Sequence, residues 1–274
     1  MAMNELMNIT TEEKEGEMIV FASAKGGVGK TVISVNLAVA LASKGFTTCM
    51  VDGNFQFGDV NLALDIQPKL TISDVVRDIK SLNSSILSNY LHSHGSKVKV
   101  LSAPLKPEYA DLITTLVINS VCEKILEQND YLIVDLSSGL SETNISFMEL
   151  AHKIVLVTDL EMAALKNTKI MLRTLKELGM EQKIRILVNR ADMESVIKFK
   201  DVSGILGMDE LLFISNNFKI VSKSFNIGIP FVLNKPKEKI SDQIMNLANE
   251  FSKNRNLPKR RGRKKQSLMD FFKR

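Results

Sequence analysis

Residues Met18-Ile19-Val20-Phe21-Ala22 run straight into Ser23-Ala24-Lys25-Gly26-Gly27-Val28-Gly29-Lys30-Thr31, and an apolar helical pattern follows at once. That order, strand then glycine-rich bend then helix, decides the fold. Glycines let consecutive backbone N–H groups turn inward, and the N-terminus of the next helix adds partial positive charge, so the bend is a cradle for phosphate oxygens. Lys30 is placed to reach β and γ phosphates and the Thr31 hydroxyl to ligate Mg²⁺, while Gly26, Gly27, Val28, Gly29 and Val32 form the rest of the nucleotide-binding loop. Ordinary phosphate loops read GxxxxGK[ST]; here Ala24 stands at the first glycine and an extra lysine, Lys25, follows it.

Outward from this motif, short runs rich in Val and Ile alternate with helical patterns. Candidate strands are Met18 to Ala22, Thr47 to Val51, Val98 to Leu101, Tyr131 to Val134, Ile154 to Val157, Ile184 to Val188 and Leu211 to Ile214. Between them, Ile33, Leu37, Ala40 and Leu41 form a helical stripe closed by Gly45, and similar stripes run from Glu108 to Leu126 and from Met162 to Leu178. The expected class is α/β: a mostly parallel twisted sheet with helices on both faces, in one domain over residues 18–252. An acidic segment, 1–17, precedes it and is expected to be flexible; a basic linker and short amphipathic helix, 253–274, follow.

Composition narrows the function classes. The 274 residues are 45% hydrophobic and 24% charged, which excludes disordered and collagen-like chains. Apolar runs fall short of the ~18 residues of a spanning helix, and the opening MAMNELMNITTEEKEGE is too acidic for a signal peptide, so a cytoplasmic location is expected. Cys49 and Cys122 lack metal-ligand spacing and are expected to be plain core residues.

The KGGxGKT loop, present whole at residues 25–31, resembles that of the MinD/ParA family of deviant Walker-A ATPases. The resemblance implies ATP and Mg²⁺ as cofactors and a homodimer in the ATP-bound form. Lys25 would then reach the partner's nucleotide, as an arginine finger does. It further implies that Asp135, ending the apolar run Tyr131-Leu132-Ile133-Val134, holds Mg²⁺ together with Thr31 and Asp52, and that Asn189 hydrogen-bonds adenine. A strand ending in Asp is also common without a metal, and Asn at a strand end also serves turns.

Three stretches depart from the family pattern. Where relatives carry Asp-x-Asp, this chain reads Asp52-Gly53-Asn54, and Asn54 cannot accept a proton from the attacking water, so hydrolysis is expected to be slow. Ser137-Ser138-Gly139 replaces a proline-containing switch and is expected to be looser, and Ser215-Asn216-Asn217 replaces proline and acids near the base. The run Phe55-Gln56-Phe57-Gly58-Asp59-Val60, with Leu62, Leu64 and Asp65, resembles the CpaE/TadZ branch, which helps to place type IV (Flp/Tad) pilus assembly. An unidentified protein partner goes with that resemblance. The rival functions are a nonhydrolysing nucleotide-bound scaffold and a ParA-like DNA-segregation ATPase.

The net charge of +5 is unevenly spread: residues 253–274 carry +9, leaving −4 on the body. Leu268, Met269, Phe271 and Phe272 share one helical face flanked by Lys264, Lys265, Lys273 and Arg274, the pattern of an interfacial helix. Three fates fit residues 259–274: an anionic membrane surface, giving peripheral attachment to the inner face of the cell membrane; nonspecific DNA, gripped by Lys259 to Lys264; or a solvated terminus.

Overall fold

The computed structural model describes residues 16–253 and 255. The acidic segment before residue 16 and the tail from residue 256, with its membrane and DNA expectations, lie outside the described residues.

Eight strands form one sheet: β1 (Glu17–Ser23), β2 (Thr48–Gly53), β3 (His92–Ser93), β4 (Lys99–Leu101), β5 (Tyr131–Ser138), β6 (Lys153–Thr158), β7 (Ile184–Val188) and β8 (Leu211–Phe213). Their order is β3-β4-β2-β5-β1-β6-β7-β8, parallel throughout except for β3. Side chains alternate across a strand, and here both faces are buried. Met18, Val20 and Ala22 enter a core shared with Val121, Phe147 and Leu172, whereas Ile19 and Phe21 enter a second core shared with Leu37, Leu41 and Ile244. The expected α/β sheet with two covered faces is therefore present.

β1 sits at the topological switch. It pairs with β5 on one side and β6 on the other, and helix α1 (Lys30–Ser43) carries the chain past β5 to β2. Loops leaving the C-terminal ends of these strands open a crevice at one edge of the sheet, where ligands of such folds bind.

Several elements differ from the sequence expectation. In α1, every residue from Ile33 to Ala42 is buried, where a one-sided stripe was expected; the helix Lys239–Phe251 packs on its outer side and removes any solvent face. The helix expected from Glu108 is split into a 3₁₀ turn, Pro107–Leu112, and an α-helix, Thr115–Leu126, because Ile113 turns extended and drops into the core. The third long helix, Met162–Glu177, ends one residue early, with Leu178 as its cap. β1 begins at Glu17, whose N–H donates to Asp130 O at 2.9 Å, and Gly16 has no room for a Cβ, which would lie 2.3 Å from Asn129 O. Gly45 (φ 100°) follows α1 as expected, and both cysteines are buried in the core.

Phe147, on the helix Glu142–Leu150, is fully buried with its ring centre 6.0 Å from that of Phe55, in the loop after β2. Truncation would leave a cavity between the two. Phe147→Ala is expected to lower unfolding free energy by about 3–5 kcal/mol, measured by urea denaturation.

Candidate functional site

The glycine-rich bend is built by backbone constraints. Ser23 Oγ donates to Lys25 O at 2.8 Å, turning the chain out of β1. Gly27 (φ 78°) and Gly29 (φ 92°) adopt left-handed conformations that side chains disfavour, and Gly29 leads directly into the first turn of α1 at Lys30. Val28 anchors the middle of the bend by burying its side chain, Val32 is half-buried on α1, and Gly26 approaches the Ser138 hydroxyl.

Behind the bend lie two carboxylates. Asp52, near the end of β2, and Asp135, within β5, are register partners on adjacent strands, both fully buried. Asp135 Oδ2 accepts the Thr31 hydroxyl at 2.6 Å and Oδ1 accepts Ser34 Oγ at 3.2 Å. Burial pushes the Asp135 carboxyl up to about 6, against the pull of these hydroxyls and of Lys30. Burial likewise lowers the Lys30 ammonium, with Asp135 opposing the shift. Burial, and then the neighbouring Asp135, raise Asp52 well above the usual carboxylate range. Asp52 serves the loop after β2: its Oδ1 accepts the Asn54 N–H and its Oδ2 the Val60 N–H, each at 3.1 Å. A Cβ at Gly58 would lie 2.3 Å from Asp52 Oδ2, so the loop folds directly over this carboxylate. The Asn54 side-chain amide donates to Phe57 O within the same loop.

The segment Ser137-Ser138-Gly139 is held firmly, against the expectation of a looser switch. Ser137 and Ser138 extend β5, Gly139 N–H donates to Ser23 O at 2.9 Å, and Asn144 Nδ2 donates to Ser137 O at 3.3 Å and Gly139 O at 3.0 Å. Side-chain hydrogen bonds replace the stiffness a proline would give.

Two further groups close the site. The Lys25 ammonium pairs with Glu161, just after β6; this contact raises Lys25 and lowers Glu161 from their ordinary values. Glu161 is itself oriented by its N–H donating to Asp159 Oδ1 at 3.1 Å. At the end of β7, Asn189 and Arg190 meet the bend from the opposite side. With Val32, Ser215, Asn216 and Phe218 they line an open groove beside the bend. Ser215 and Asn216 are fixed there, their N–H groups donating to Gln243 Oε1 at 2.9 Å and Asp192 Oδ1 at 2.6 Å.

The structure thus gathers Lys30, Thr31, Asp52 and Asp135 on one side of the bend, with Asn189 and Lys25 on its flanks. Asp159, Glu161, Arg190 and Asn144 escaped the sequence analysis: each is remote in sequence from the bend and carries no motif, and only strand order and helix packing bring them near it. Among the described residues no group of three or more His, Cys, Asp or Glu could hold a metal alone. One hydroxyl and one carboxylate beside a phosphate cradle instead suit Mg²⁺, which keeps much of its shell from water and nucleotide phosphates.

Comparison with known proteins agrees. A family profile described as AAA domain matches residues 16–188. The chain belongs to this family, as a MinD/ParA-type ATPase. It is 26% identical over 241 residues to a septum site-determining protein MinD of Thermotoga maritima, covering 85% of this chain and 87% of the relative. The septum site-determining protein MinD of Pyrococcus horikoshii, solved with Mg-ADP, superimposes with a TM-score of 0.76 at 25% identity, over 87% of this chain and 96% of that one. A MinC:MinD cell division protein complex of Aquifex aeolicus shares the fold, with a TM-score of 0.73 at 23% identity, over 90% of this chain and all of the other. No described helix is long and apolar enough to cross a membrane.

The raised Asp135 carboxyl has a definite sign in stability. Its proton is held to higher pH in the folded chain than at the ordinary 3.8, so this carboxyl withdraws stability from the nucleotide-free protein as pH rises from about 4 to beyond about 6. Asp135→Asn is expected to raise the melting temperature of nucleotide-free protein at pH 8, with little gain at pH 4. It should also abolish any strengthening of nucleotide binding by Mg²⁺. Scanning fluorimetry across pH, with and without Mg-ADP, checks both.

Proposed function

We propose that this chain is an ATP-dependent dimerising switch with slow ATPase activity, which localises or helps to assemble a cell-envelope machine such as a type IV (Flp/Tad) pilus. The observation that carries the nucleotide part is the Thr31–Asp135 hydrogen bond behind a glycine bend whose Lys30 is half-buried, its ammonium lowered by burial. Thr31 and Asp135 would hold Mg²⁺, which neutralises phosphate charge when bound. Lys30 supplies a second positive charge, and Asn189 with the Ser215–Asn217 turn receives adenine. Asp52, with both oxygens taken by backbone N–H groups, shapes the loop after β2 and leaves the metal to Asp135.

Dimerisation rests on Lys25. In the single chain its ammonium sits on Glu161, and the two side chains are 40% and 52% exposed. Exposed pairs of this kind contribute little, so the ammonium can exchange Glu161 for a phosphate of a second copy. Slow turnover rests on Asn54. Its amide is engaged by Phe57 O and has no basic site to take a proton from water. That contact also favours the second reading, a scaffold that keeps its nucleotide unhydrolysed.

Phe57 and Leu62, 71% and 55% exposed, lie within the stretch that resembles the CpaE/TadZ branch and offer a protein partner an apolar contact. The complex of MinC with a MinD supports partner recruitment by this fold. Membrane attachment rests on the tail residues Leu268, Met269, Phe271 and Phe272. Two tails in one dimer would gain roughly 10²- to 10⁴-fold in avidity, coupling nucleotide state to membrane occupancy.

Phosphate release per subunit is expected to be slow and to rise with protein concentration, and Asn54→Asp is expected to increase it by roughly tenfold or more. An unchanged rate would show that residue 54 does not limit hydrolysis; nucleotide retained intact at every concentration would favour the scaffold. In flotation with anionic liposomes, ATP and Mg²⁺, the full chain is expected to rise with the vesicles, and a variant carrying Phe271→Ser and Phe272→Ser to stay behind. Equal flotation of the two removes the membrane role of the tail.

A further inference from the structure

The turn after β7 meets the phosphate bend at three consecutive residues. The Asn189 side-chain amide donates to Val28 O at 2.8 Å, and the Arg190 guanidinium donates to Gly27 O at 3.3 Å. At Gly29 a Cβ would lie 2.4 Å from Asn189 Nδ2, so glycine is required there by contact as well as by its φ. Asn189 is fixed in turn. Its N–H donates to Thr158 O at 2.8 Å, and its Oδ1 accepts the Arg190 N–H at 2.9 Å. Arg190 adopts φ 54°, a left-handed conformation uncommon for a side-chain-bearing residue, and this places its guanidinium against the bend.

In a trans peptide the carbonyl and the following N–H point in opposite directions. Holding the carbonyls of Gly27 and Val28 toward β7 therefore turns the N–H groups of Val28 and Gly29 away from it. Those are donors of the kind a phosphate cradle needs. The same two residues, Asn189 and Arg190, also line the groove beside Asn216 and Phe218.

We propose that Asn189 and Arg190 are positioning residues that clamp two carbonyls of the phosphate bend, so that affinity for phosphate itself depends on the turn facing the base. The proposal rests on the nucleotide-binding reading above and adds to it a role separate from base recognition. A side chain that only recognised adenine would have no need to hold Val28 O, and an arginine that only attracted phosphate by charge would have no need of a strained backbone pointing it at Gly27 O.

Calorimetric titration of the full chain with Mg²⁺ and inorganic tripolyphosphate, which has no base, and separately with Mg²⁺ and ATP, tests the clamp. Asn189→Ala is expected to weaken tripolyphosphate binding by about tenfold, the scale of one lost buried hydrogen bond that leaves Val28 O unsatisfied, and Arg190→Ala by a smaller, measurable factor because water reaches Gly27 O; both should weaken ATP at least as much. Arg190→Lys, which keeps a donor for Gly27 O, is expected to recover most of that loss. Asn189→Ala that weakens ATP but leaves tripolyphosphate unchanged would overturn the proposal, making Asn189 a base contact only. If Asn189→Ala shows no cooperative melting, Arg190→Ala decides: unaltered tripolyphosphate affinity overturns the clamp. Wild-type protein that takes up neither ligand overturns the nucleotide reading, and this one with it.

Discussion

The hydrogen bond from the Thr31 hydroxyl to Asp135 joins the first turn of α1 to β5, and the ligand edge of the sheet is arranged around it. It is partly buried, charge-assisted when Asp135 is ionised, and backed by a buried bond from Ser34 one turn further along α1. Parallel register then sets Asp52 beside Asp135 on the adjacent strand, bringing two carboxylates together out of water. Such an arrangement costs stability at neutral pH unless a cation offsets it. A site destabilised in this way gains folding free energy when positive charge arrives with a ligand, which links occupancy to stability by mass action.

Around that fixed centre the structure separates rigid parts from movable ones. Asp52 ties down the loop after β2 through two backbone N–H groups, and Asn144 ties down the extension of β5. The contacts at the surface are of another kind: Lys25 on Glu161, and Asn54 on Phe57 O. Solvent competes for these, so they exchange cheaply, as elements that respond to a nucleotide or a second subunit must. Asn54 and Lys25, the two residues on which the proposed slow turnover and dimerisation rest, both lie among the exchangeable contacts.

What the sequence revealed, and what it hid, follows from the range of the interactions involved. The bend from Ser23 to Thr31 was legible because glycines, lysine and hydroxyl fall within nine residues between a strand and a helix. Asp135 was legible because it ends an uninterrupted apolar run. The full burial of α1 was not, because the covering helix lies some two hundred residues away in the chain. β3 was missed because a two-residue antiparallel edge strand leaves no periodicity to detect. Ser137-Ser138-Gly139 was misjudged because its stiffness comes from Asn144, a helical side chain whose role depends on where the helix packs. Glu161 and Arg190 belong to the ends of β6 and β7, and only strand order brings them to the bend.

The central claim is that the bend between β1 and α1 binds the phosphates of an adenine nucleotide together with Mg²⁺. Its most direct test is calorimetric titration of ATP into the folded full-length chain, once with Mg²⁺ and once with the metal chelated. The account predicts saturable uptake of about one nucleotide per chain, markedly tighter with Mg²⁺ than without. Well-folded protein that releases no heat and takes up no ATP in either condition would contradict it.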